Sequence, residues 1–445
     1  MKQIVLIATY EMGRQPFGLA SPAAWLRNAG FGVTCLDLSR ERLRDDVARG
    51  ADVIALHVPM HTATRLAARL MPRLKELNPA ARICFYGLYA AMNEEYLRGL
   101  GADAVFGGEF ETGLLRFVHS SANGGGAAGA AISLGRQEFV TPARDGLPPL
   151  RKYAPLWASG KPRRVTGYTE ASRGCKHLCR HCPVVPVYNG AFRVVQPEVV
   201  LADIRQQVAA GAQHITFGDP DFFNGPGHAL RIAEELHREH PDLTYDVTIK
   251  VEHLLRHARD LETLRRTGCL FVTSAVESFD DAVLERLDKG HTLEDFRRVI
   301  ELFRETGLTL APTFVPFHPW TTIEKYREFL QLIRELDLVE NVAPIQLAIR
   351  LLIPAGSRLL ELEEIRGMAG PFNEERLAYE WTNANPALEE LCGEVRREVN
   401  AGERRRMPRR EIFAGVWELS FGEAMDREPL PARATIPYLE EPWYC

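Results

Sequence analysis

Apolar runs and amphipathic segments alternate along the first 120 residues. The runs have the length and β-branched content of buried strands, and the amphipathic segments repeat at helical spacing. Predicted strands cover residues 3–9, 32–38, 52–58, 82–86 and 103–107, and predicted helices cover 21–29, 40–49, 62–77 and 93–100. This alternation predicts a parallel sheet with helices on both faces, a doubly wound, Rossmann-like α/β domain over residues 1–120.

The pattern resumes after a stretch without periodicity. Residues 120–131 are rich in Gly and Ala, and residues 146–164 carry four prolines, so residues 121–164 are predicted to form a linker whose Gly/Ala part is flexible. From residue 165 to 354, predicted strands cover 166–171, 213–217, 244–249, 269–274, 309–315 and 345–351, with helices between them. This pattern fits an open sheet or a closed barrel equally well. Residues 355–445 form a mainly helical extension, with helices at 373–379 and 387–399.

Composition and charge narrow the class of protein. The 445 residues are 46% hydrophobic and 25% charged, which is typical of a globular chain able to bury large cores. The formal net charge of -5 argues against non-specific nucleic-acid binding. No apolar run is long enough for a membrane span, and the first residues lack the features of a signal peptide. We therefore expect a cytoplasmic protein whose eight cysteines stay reduced.

Three cysteines lie within eight residues, immediately after the first strand of the second region. Cys175, Cys179 and Cys182 are spaced C-x3-C-x2-C. One interpretation is a structural zinc site closed by His177, His181 or a distant cysteine. The other is an iron–sulfur cluster with one iron left open. Zinc sites usually have a second ligand pair further along, which this sequence lacks, so the cluster is favoured.

This loop, preceded by Ser172-Arg173-Gly174, resembles the signature of the radical S-adenosylmethionine (SAM) superfamily. The resemblance implies a 4Fe–4S cluster on the three thiolates and SAM bound to the open iron. It also implies a partial (β/α)6 TIM-like barrel, with the site at the carboxyl ends of the strands. An aromatic residue often precedes the third cysteine of the family. His181 stands there in this chain, and its ring can stack on adenine.

The resemblance extends to the ends of later strands. Asp219 and Asp221 match a family segment that contacts the SAM ammonium group. Lys250 is a candidate for the SAM carboxylate or ribose, and Glu277 precedes a Lys-Gly-His-Thr pattern shared with related enzymes. His318, after the fifth strand, is predicted to line the substrate cavity as a catalytic residue.

The first domain resembles the cobalamin-binding domain of cobalamin-dependent radical SAM enzymes. Gly107-Gly-Glu-Phe-Glu111 matches their Gly-Glu-rich loop. The Asp-x-His-x2-Gly motif that supplies an axial histidine is absent, since His57 lies in a different pattern. Cobalamin is therefore a further candidate cofactor, and the alternative is a domain that keeps the fold without it.

The opening segment, the cysteine loop and the terminal Glu441-Pro-Trp-Tyr-Cys445 resemble a bacterial radical SAM group named for a Cys-Cys (or Cys-selenocysteine)-Ala-Glu-Pro tail. The chain stops at Cys445, so the full tail is missing. Cys445 is a candidate redox or acceptor-binding thiol, with an inert terminus as the alternative. The resemblance also reaches a radical SAM enzyme of arsinothricin biosynthesis, which implies transfer of the 3-amino-3-carboxypropyl group of SAM to trivalent arsenic.

These observations predict a radical SAM enzyme that cleaves SAM reductively and transfers a SAM-derived group to a small molecule. Its expected partner is a one-electron donor such as flavodoxin or ferredoxin, with neither nucleic acid nor membrane involved. The alternatives are aminocarboxypropyl transfer to arsenic, cobalamin-dependent methyl transfer, and a zinc-stabilised binding protein that is not an enzyme.

Overall fold

The structure is a computed structural model that describes residues 1–120, 131–158, 160–425 and 433–442. The flexible Gly/Ala linker predicted near residues 120–131 therefore falls almost entirely outside the described residues. In the first region the strands are β1 (Gln3–Ala8), β2 (Gly32–Asp37), β3 (Val53–His57), β4 (Arg82–Tyr86), β5 (Ala104–Gly108) and β6 (Ile132–Ser133). The helices are α1 (Phe17–Asn28), α2 (Asp45–Arg49), α3 (His61–Leu77), α4 (Leu88–Met92), α5 (Glu94–Gly99) and α6 (Phe110–Ser120).

These strands form one parallel sheet in the order β2-β1-β3-β4-β5-β6. Strands β3 and β4 are apolar along their length because helices cover both faces of the sheet. The two faces bury separate cores, one around Ile54 and Met71 and the other around Leu19 and Leu114. The doubly wound fold predicted from the sequence is confirmed.

The second region contains a parallel sheet in the order β14-β13-β12-β11-β8, curved around the site described below. Its strands and accessory strands are β7 (Leu156–Trp157), β8 (Thr166–Thr169), β9 (Ser172–Gly174), β10 (Phe192–Val194), β11 (His214–Phe217), β12 (Thr244–Thr248), β13 (Cys269–Glu277) and β14 (Thr309–Phe314). The helices are α7 (Val185–Tyr188), α8 (Pro197–Ala209), α9 (Pro226–Glu239), α10 (Val251–Arg256), α11 (Leu261–Arg266), α12 (Asp281–Arg286), α13 (Leu293–Thr306) and α14 (Ile323–Glu335). The partial TIM-like barrel is confirmed.

The prediction of a sixth strand at residues 345–351 is wrong over the first half of that range. Residues Pro344–Leu347 form a 3-10 turn, and only Arg350 makes a parallel bridge, with Phe317. The side-chain oxygen of Gln346 accepts a hydrogen bond from the Phe314 backbone at 3.0 Å. A side chain thus takes the position that the next strand would occupy, and the barrel is left open along this edge.

The C-terminal extension is mainly helical, as predicted, with α15 (Glu363–Met368), α16 (Pro386–Arg405) and α17 (Arg409–Phe421). The helix predicted at residues 373–379 is wrong. This segment is a hairpin of β15 (Phe372–Asn373) and β16 (Ala378–Tyr379). The Asn373 side chain accepts from the Arg376 backbone at 3.0 Å, and Leu377 has a φ of 51°, so turn chemistry replaces helical periodicity here.

The last described residues, 433–442, form a strap that crosses the barrel edge and reaches the first domain. Its strand β17 (Tyr438–Leu439) pairs with β7, and Glu441 forms a half-buried ion pair with Arg14 at 2.5 Å. The Tyr10 hydroxyl donates to the Pro442 carbonyl oxygen. Among the described residues, no helix is both long and apolar enough to cross a membrane.

Candidate active site

The three-cysteine loop begins at a glycine that no other residue can replace without strain. Gly174 has a φ of 75°, and a Cβ there would lie 2.4 Å from the Ala191 carbonyl oxygen. The loop leaves β9 at this point, and the Asn224 side chain accepts from the Lys176 backbone at 3.1 Å. The sequence therefore fixes both the direction and the first turn of the loop.

The three thiols are arranged for a cluster rather than for one metal ion. Cys175 and Cys179 are buried, and burial raises the pKa of the Cys182 thiol to about 12. A tetrahedral zinc ion with bonds of 2.3 Å holds its sulfurs about 3.8 Å apart. Within the described chain, these sulfurs do not form a donor group whose atoms all lie within 4.8 Å of one another. Three thiolates with one iron left open are the donor set of a 4Fe–4S cluster, which is the better fit.

Lys250 lies beside this loop. Its ammonium nitrogen is 3.6 Å from the Cys179 sulfur and 3.9 Å from a carboxylate oxygen of Glu252. The side chain is buried, so its charge acts on the sulfur with little screening by solvent. The structure thus places Lys250 next to the thiols, at the carboxyl end of β12, where the sequence predicted a SAM-binding residue.

Asp219 and Asp221 follow β11, and both are buried. The Asp219 carboxylate accepts from the Ala171 backbone at 3.0 Å and from the Ser172 hydroxyl at 2.5 Å, so it holds the start of the cysteine loop. Burial raises the pKa of Asp219 to about 7. One oxygen of Asp221 accepts from the Phe223 backbone, and the other lies 2.7 Å from His253 Nδ1. Both carboxylates therefore have protein neighbours, and their assignment to SAM stays a prediction.

Glu277 is the charged centre of a second group, at the end of β13. Its Oε1 lies 3.0 Å from His181 Nε2 and 3.3 Å from Lys289 Nζ. Burial would raise the pKa of this carboxyl, but the charges of Lys289 and His181 outweigh it and lower the pKa to about 2. The Glu277 carboxylate therefore stays ionised, and it joins the end of β13 to the cysteine loop through His181.

His318 lines a cavity of about 290 Å³, together with Glu277, Ser278 and Lys325. Its Nδ1 is 3.0 Å from the Thr321 hydroxyl oxygen, and burial lowers its pKa to about 4. The imidazole is therefore neutral near pH 7. Cys445 lies outside the described residues, so the catalytic roles of both residues stay predictions.

A cavity of about 210 Å³, lined by both polar and apolar side chains, lies inside the barrel. Asp219, Asp246 and Thr248 line it from the strands, and Tyr438 and Glu441 of the strap close its side. The strap thus completes a wall that the incomplete barrel leaves open.

An ion network joins the first domain to the cysteine loop. Arg173 makes two hydrogen bonds to Glu111, at 2.7 and 3.0 Å, and one to Glu170 at 2.8 Å. Glu109 is 3.4 Å away and accepts from the Tyr188 hydroxyl at 3.3 Å. The side chains of Arg173 and Glu111 are 7% and 0% exposed, so the pair is shielded from solvent.

The carboxyl edge of the first sheet therefore faces the cysteine loop. Helix α4, at this edge, packs against α7, and burial, with Cys182 close by, raises the pKa of Tyr89. A cofactor held at this edge would lie against the cluster. His57 is 5% exposed and packs over Gly18. A Cβ added at Gly18 would lie 2.0 Å from the nearest atom of the His57 ring. The ring is thus enclosed within the domain, which agrees with the absence of the axial-histidine motif.

The fold and the site together define a two-domain protein. One domain is a TIM-like barrel with a three-cysteine loop suited to an iron–sulfur cluster. The carboxyl edge of the sheet in the Rossmann-like domain faces this loop. Comparison with protein families agrees with both parts. The radical SAM superfamily model matches residues 169–333, and the B12 binding domain model matches residues 4–118.

Two curated relatives illustrate the range of similar proteins. Hopanoid C-3 methylase of Methylococcus capsulatus is 25% identical over 351 residues, which cover 74% of this chain and 66% of that protein. A tRNA-2-methylthio-N(6)-dimethylallyladenosine synthase of Desulfosudis oleivorans is 27% identical over 195 residues, covering 40% of this chain and 38% of that protein. The chain thus spans less than two thirds of the length of either relative.

Solved structures share the fold. The cobalamin-dependent SAM radical enzyme OxsB, with aqua-cobalamin and SAM bound, has a TM-score of 0.70 at 13% identity, covering 90% of this chain and 67% of that chain. The radical SAM methyltransferase TsrM of Kitasatospora setae, with tryptophan and a SAM analogue bound, has a TM-score of 0.61 at 18% identity, covering 82% and 76%.

The chain contains a radical SAM domain and carries a B12-binding domain ahead of it. The cofactors of these two domains are a 4Fe–4S cluster, SAM and cobalamin. The predicted class of protein, a radical SAM enzyme, and the predicted cofactors are confirmed. The alternative of a zinc-stabilised binding protein that is not an enzyme is wrong. The absence of a nucleic-acid partner stays a prediction, because tRNA-modifying enzymes are among the relatives.

Sequence reasoning missed two contributors. Lys289 belongs to the Lys-Gly-His-Thr segment, which was noted only as a neighbour of Glu277. The segment ends at Thr292, the N-cap of α13, so the helix start fixes the position of Lys289. The contact of Arg173 with Glu111 was also missed, although Arg173 belongs to the Ser-Arg-Gly motif and Glu111 to the Gly-Glu-rich loop. A single sequence gives no signal that pairs two motifs in separate domains.

Proposed function

We propose that this protein is a cobalamin-dependent radical SAM methyltransferase that acts on a small molecule. The observation that carries the proposal is the contact between the B12-binding domain and the cysteine loop through Arg173, Glu109 and Tyr188. When bound, the cluster supplies an electron to SAM and cobalamin carries a methyl group. The barrel cavity, at about 210 Å³, is below the ~300–1,000 Å³ usual for ligand pockets and so favours a compact polar substrate.

We assign distinct roles to the residues of the site. Cys175, Cys179 and Cys182 hold the cluster, and Lys250 stabilises its negative charge. Glu277, kept ionised by its neighbours, accepts from donor groups of SAM. His181 supports Glu277 through its contact at 3.0 Å. Asp219 positions the loop through Ser172, and an external donor of the flavodoxin or ferredoxin type provides electrons.

The nucleoside products of anaerobic turnover test the reaction type. Methyl transfer is expected to yield S-adenosylhomocysteine, and SAM carrying a trideuterated methyl group should leave label on the corrin or on the acceptor. Aminocarboxypropyl transfer, for example to arsenite, would instead release 5'-methylthioadenosine. Chromatography with mass detection separates these nucleosides. Release of 5'-methylthioadenosine without S-adenosylhomocysteine would overturn the methyltransferase proposal, and protein without its cluster serves as the blank.

Glu277→Gln is expected to weaken SAM binding by about 10- to 100-fold. The change removes one buried negative charge, and a hydrogen bond to a charged group is worth about 1.5–3 kcal/mol. Equilibrium dialysis of SAM against the cluster-loaded protein measures the effect. Glu285→Gln is the matched control, because Glu285 lies exposed on α12. The SAM affinity of this variant should equal that of the wild type. Equal SAM affinity in both variants would remove Glu277 from the binding site.

A further inference from the structure

Behind the cysteine loop lies a group of metal-ligating side chains that the proposed reaction does not use. His177 comes from the loop itself, Asp221 follows β11, and His253 lies on α10. One ligand atom from each residue lies within 4.8 Å of the other two. The site thus brings together three segments that are distant in sequence.

The three ligand atoms lack directed hydrogen bonds although they are buried. His253 Nδ1 is only 2.7 Å from Asp221 Oδ2, and His177 Nε2 is 3.6 Å from the same oxygen. Neither contact has the geometry of a hydrogen bond, so all three atoms lack a hydrogen-bond partner. The Asp221 and His253 side chains are 0% and 6% exposed. Unsatisfied buried polar atoms are costly, and a shared cation would satisfy all three at once.

Glu252 places a further carboxylate beside His177, as is common next to a histidine that binds a metal. Glu252 Oε2 is 3.6 Å from His177 Nδ1, the ring nitrogen that faces away from Asp221. A histidine ligand commonly donates its second ring N–H to a carboxylate, which fixes the tautomer and the ring orientation. Glu252 also pairs with Arg256 at 2.6 Å through its other carboxylate oxygen, which fixes its position beside His177.

We propose that His177, Asp221 and His253 form a mononuclear zinc site that fixes the cysteine loop to β11 and α10. Two imidazoles and one carboxylate are a common donor set for Zn²⁺. Three protein ligands leave a fourth coordination position for a water molecule. The ion holds the segment between Cys175 and Cys179, and its role is structural.

Metal analysis of the full-length protein, reconstituted with iron and sulfide and then equilibrated with Zn²⁺, tests the site. We expect about one zinc per chain in addition to the cluster iron. In Asp221→Asn and in His253→Gln, zinc should fall at least tenfold, consistent with the loss of a ligand. His257→Gln is the control, because His257 lies nearby but pairs with Asp260 at 3.4 Å. If either buried variant fails to fold, His177→Gln provides the same comparison.

Zinc X-ray absorption distinguishes this site from zinc in the thiol loop. The proposed site predicts nitrogen and oxygen neighbours at about 2.0–2.2 Å and no sulfur near 2.3 Å. Sulfur neighbours, zinc equally retained in Asp221→Asn, or no zinc at all would overturn the proposal. None of these readings depends on turnover, so they leave the methyltransferase proposal to its own test.

Discussion

Cys179→Ala is expected to abolish cluster assembly, with iron falling from about four atoms per chain to a background level. Two thiolates remain in the variant, and they cannot hold three corners of a 4Fe–4S cluster. Reductive cleavage of SAM should fall to the rate of protein without cluster, because the electron enters through this centre. Iron and sulfide analysis, the brown absorbance and anaerobic nucleoside assays measure these effects.

The control must also remove a buried thiol, since any buried truncation costs stability. Cys392→Ala does so, because Cys392 is 8% exposed in the core of the C-terminal extension and lies outside the cysteine loop. It should keep the iron and the activity of the wild type. Equal loss of iron in the two variants would mean that the loop is not the cluster ligand. Full iron in Cys179→Ala would contradict the proposed use of Cys179.

The fold was predictable wherever one local pattern decided the structure. Strand β4 was predicted with its observed bounds because its apolar run ends abruptly at polar or glycine residues. The prediction of the sixth barrel strand was wrong for a reason that the local sequence pattern does not contain. Residues 345–351 are apolar enough for a strand, but the Gln346 side chain takes the hydrogen bond of the Phe314 backbone. Such a tertiary contact is not visible in local periodicity.

The candidate site shows the same division. The spacing of Cys175, Cys179 and Cys182 was sufficient to predict a cluster, because three nearby ligands on one loop need no knowledge of the fold. Asp221 was assigned to SAM from its motif, whereas the structure turns its second oxygen toward His253. Helix α9 and strand β12 separate these residues in the sequence, so only the packed structure reveals that they meet.

Arg173→Met is expected to lower the free energy of unfolding by about 3–5 kcal/mol. Arg173 is the buried cation that three carboxylates share, and Glu111 receives two of its hydrogen bonds. Methionine keeps much of the volume among Phe110 and Phe139 but leaves Glu111 buried without a counter-charge. Breaking one partner of a buried pair is costly for this reason. Urea unfolding and calorimetry measure the loss.

Arg205→Met is the matched control. Arg205 makes an equally short two-bond pair with Glu239, at 2.7 and 2.8 Å, but its side chain is 50% exposed. Exposed pairs contribute about 0–1 kcal/mol, so this variant should unfold almost as the wild type does. Adding Glu111→Gln to Arg173→Met should recover part of the loss, because the unpaired charge is removed. Equal destabilisation by the two arginine variants would show that burial does not govern this network. Because Arg173 is two residues from Cys175, a loss of iron retention specific to Arg173→Met would further show that the network holds the cluster loop against the B12-binding domain.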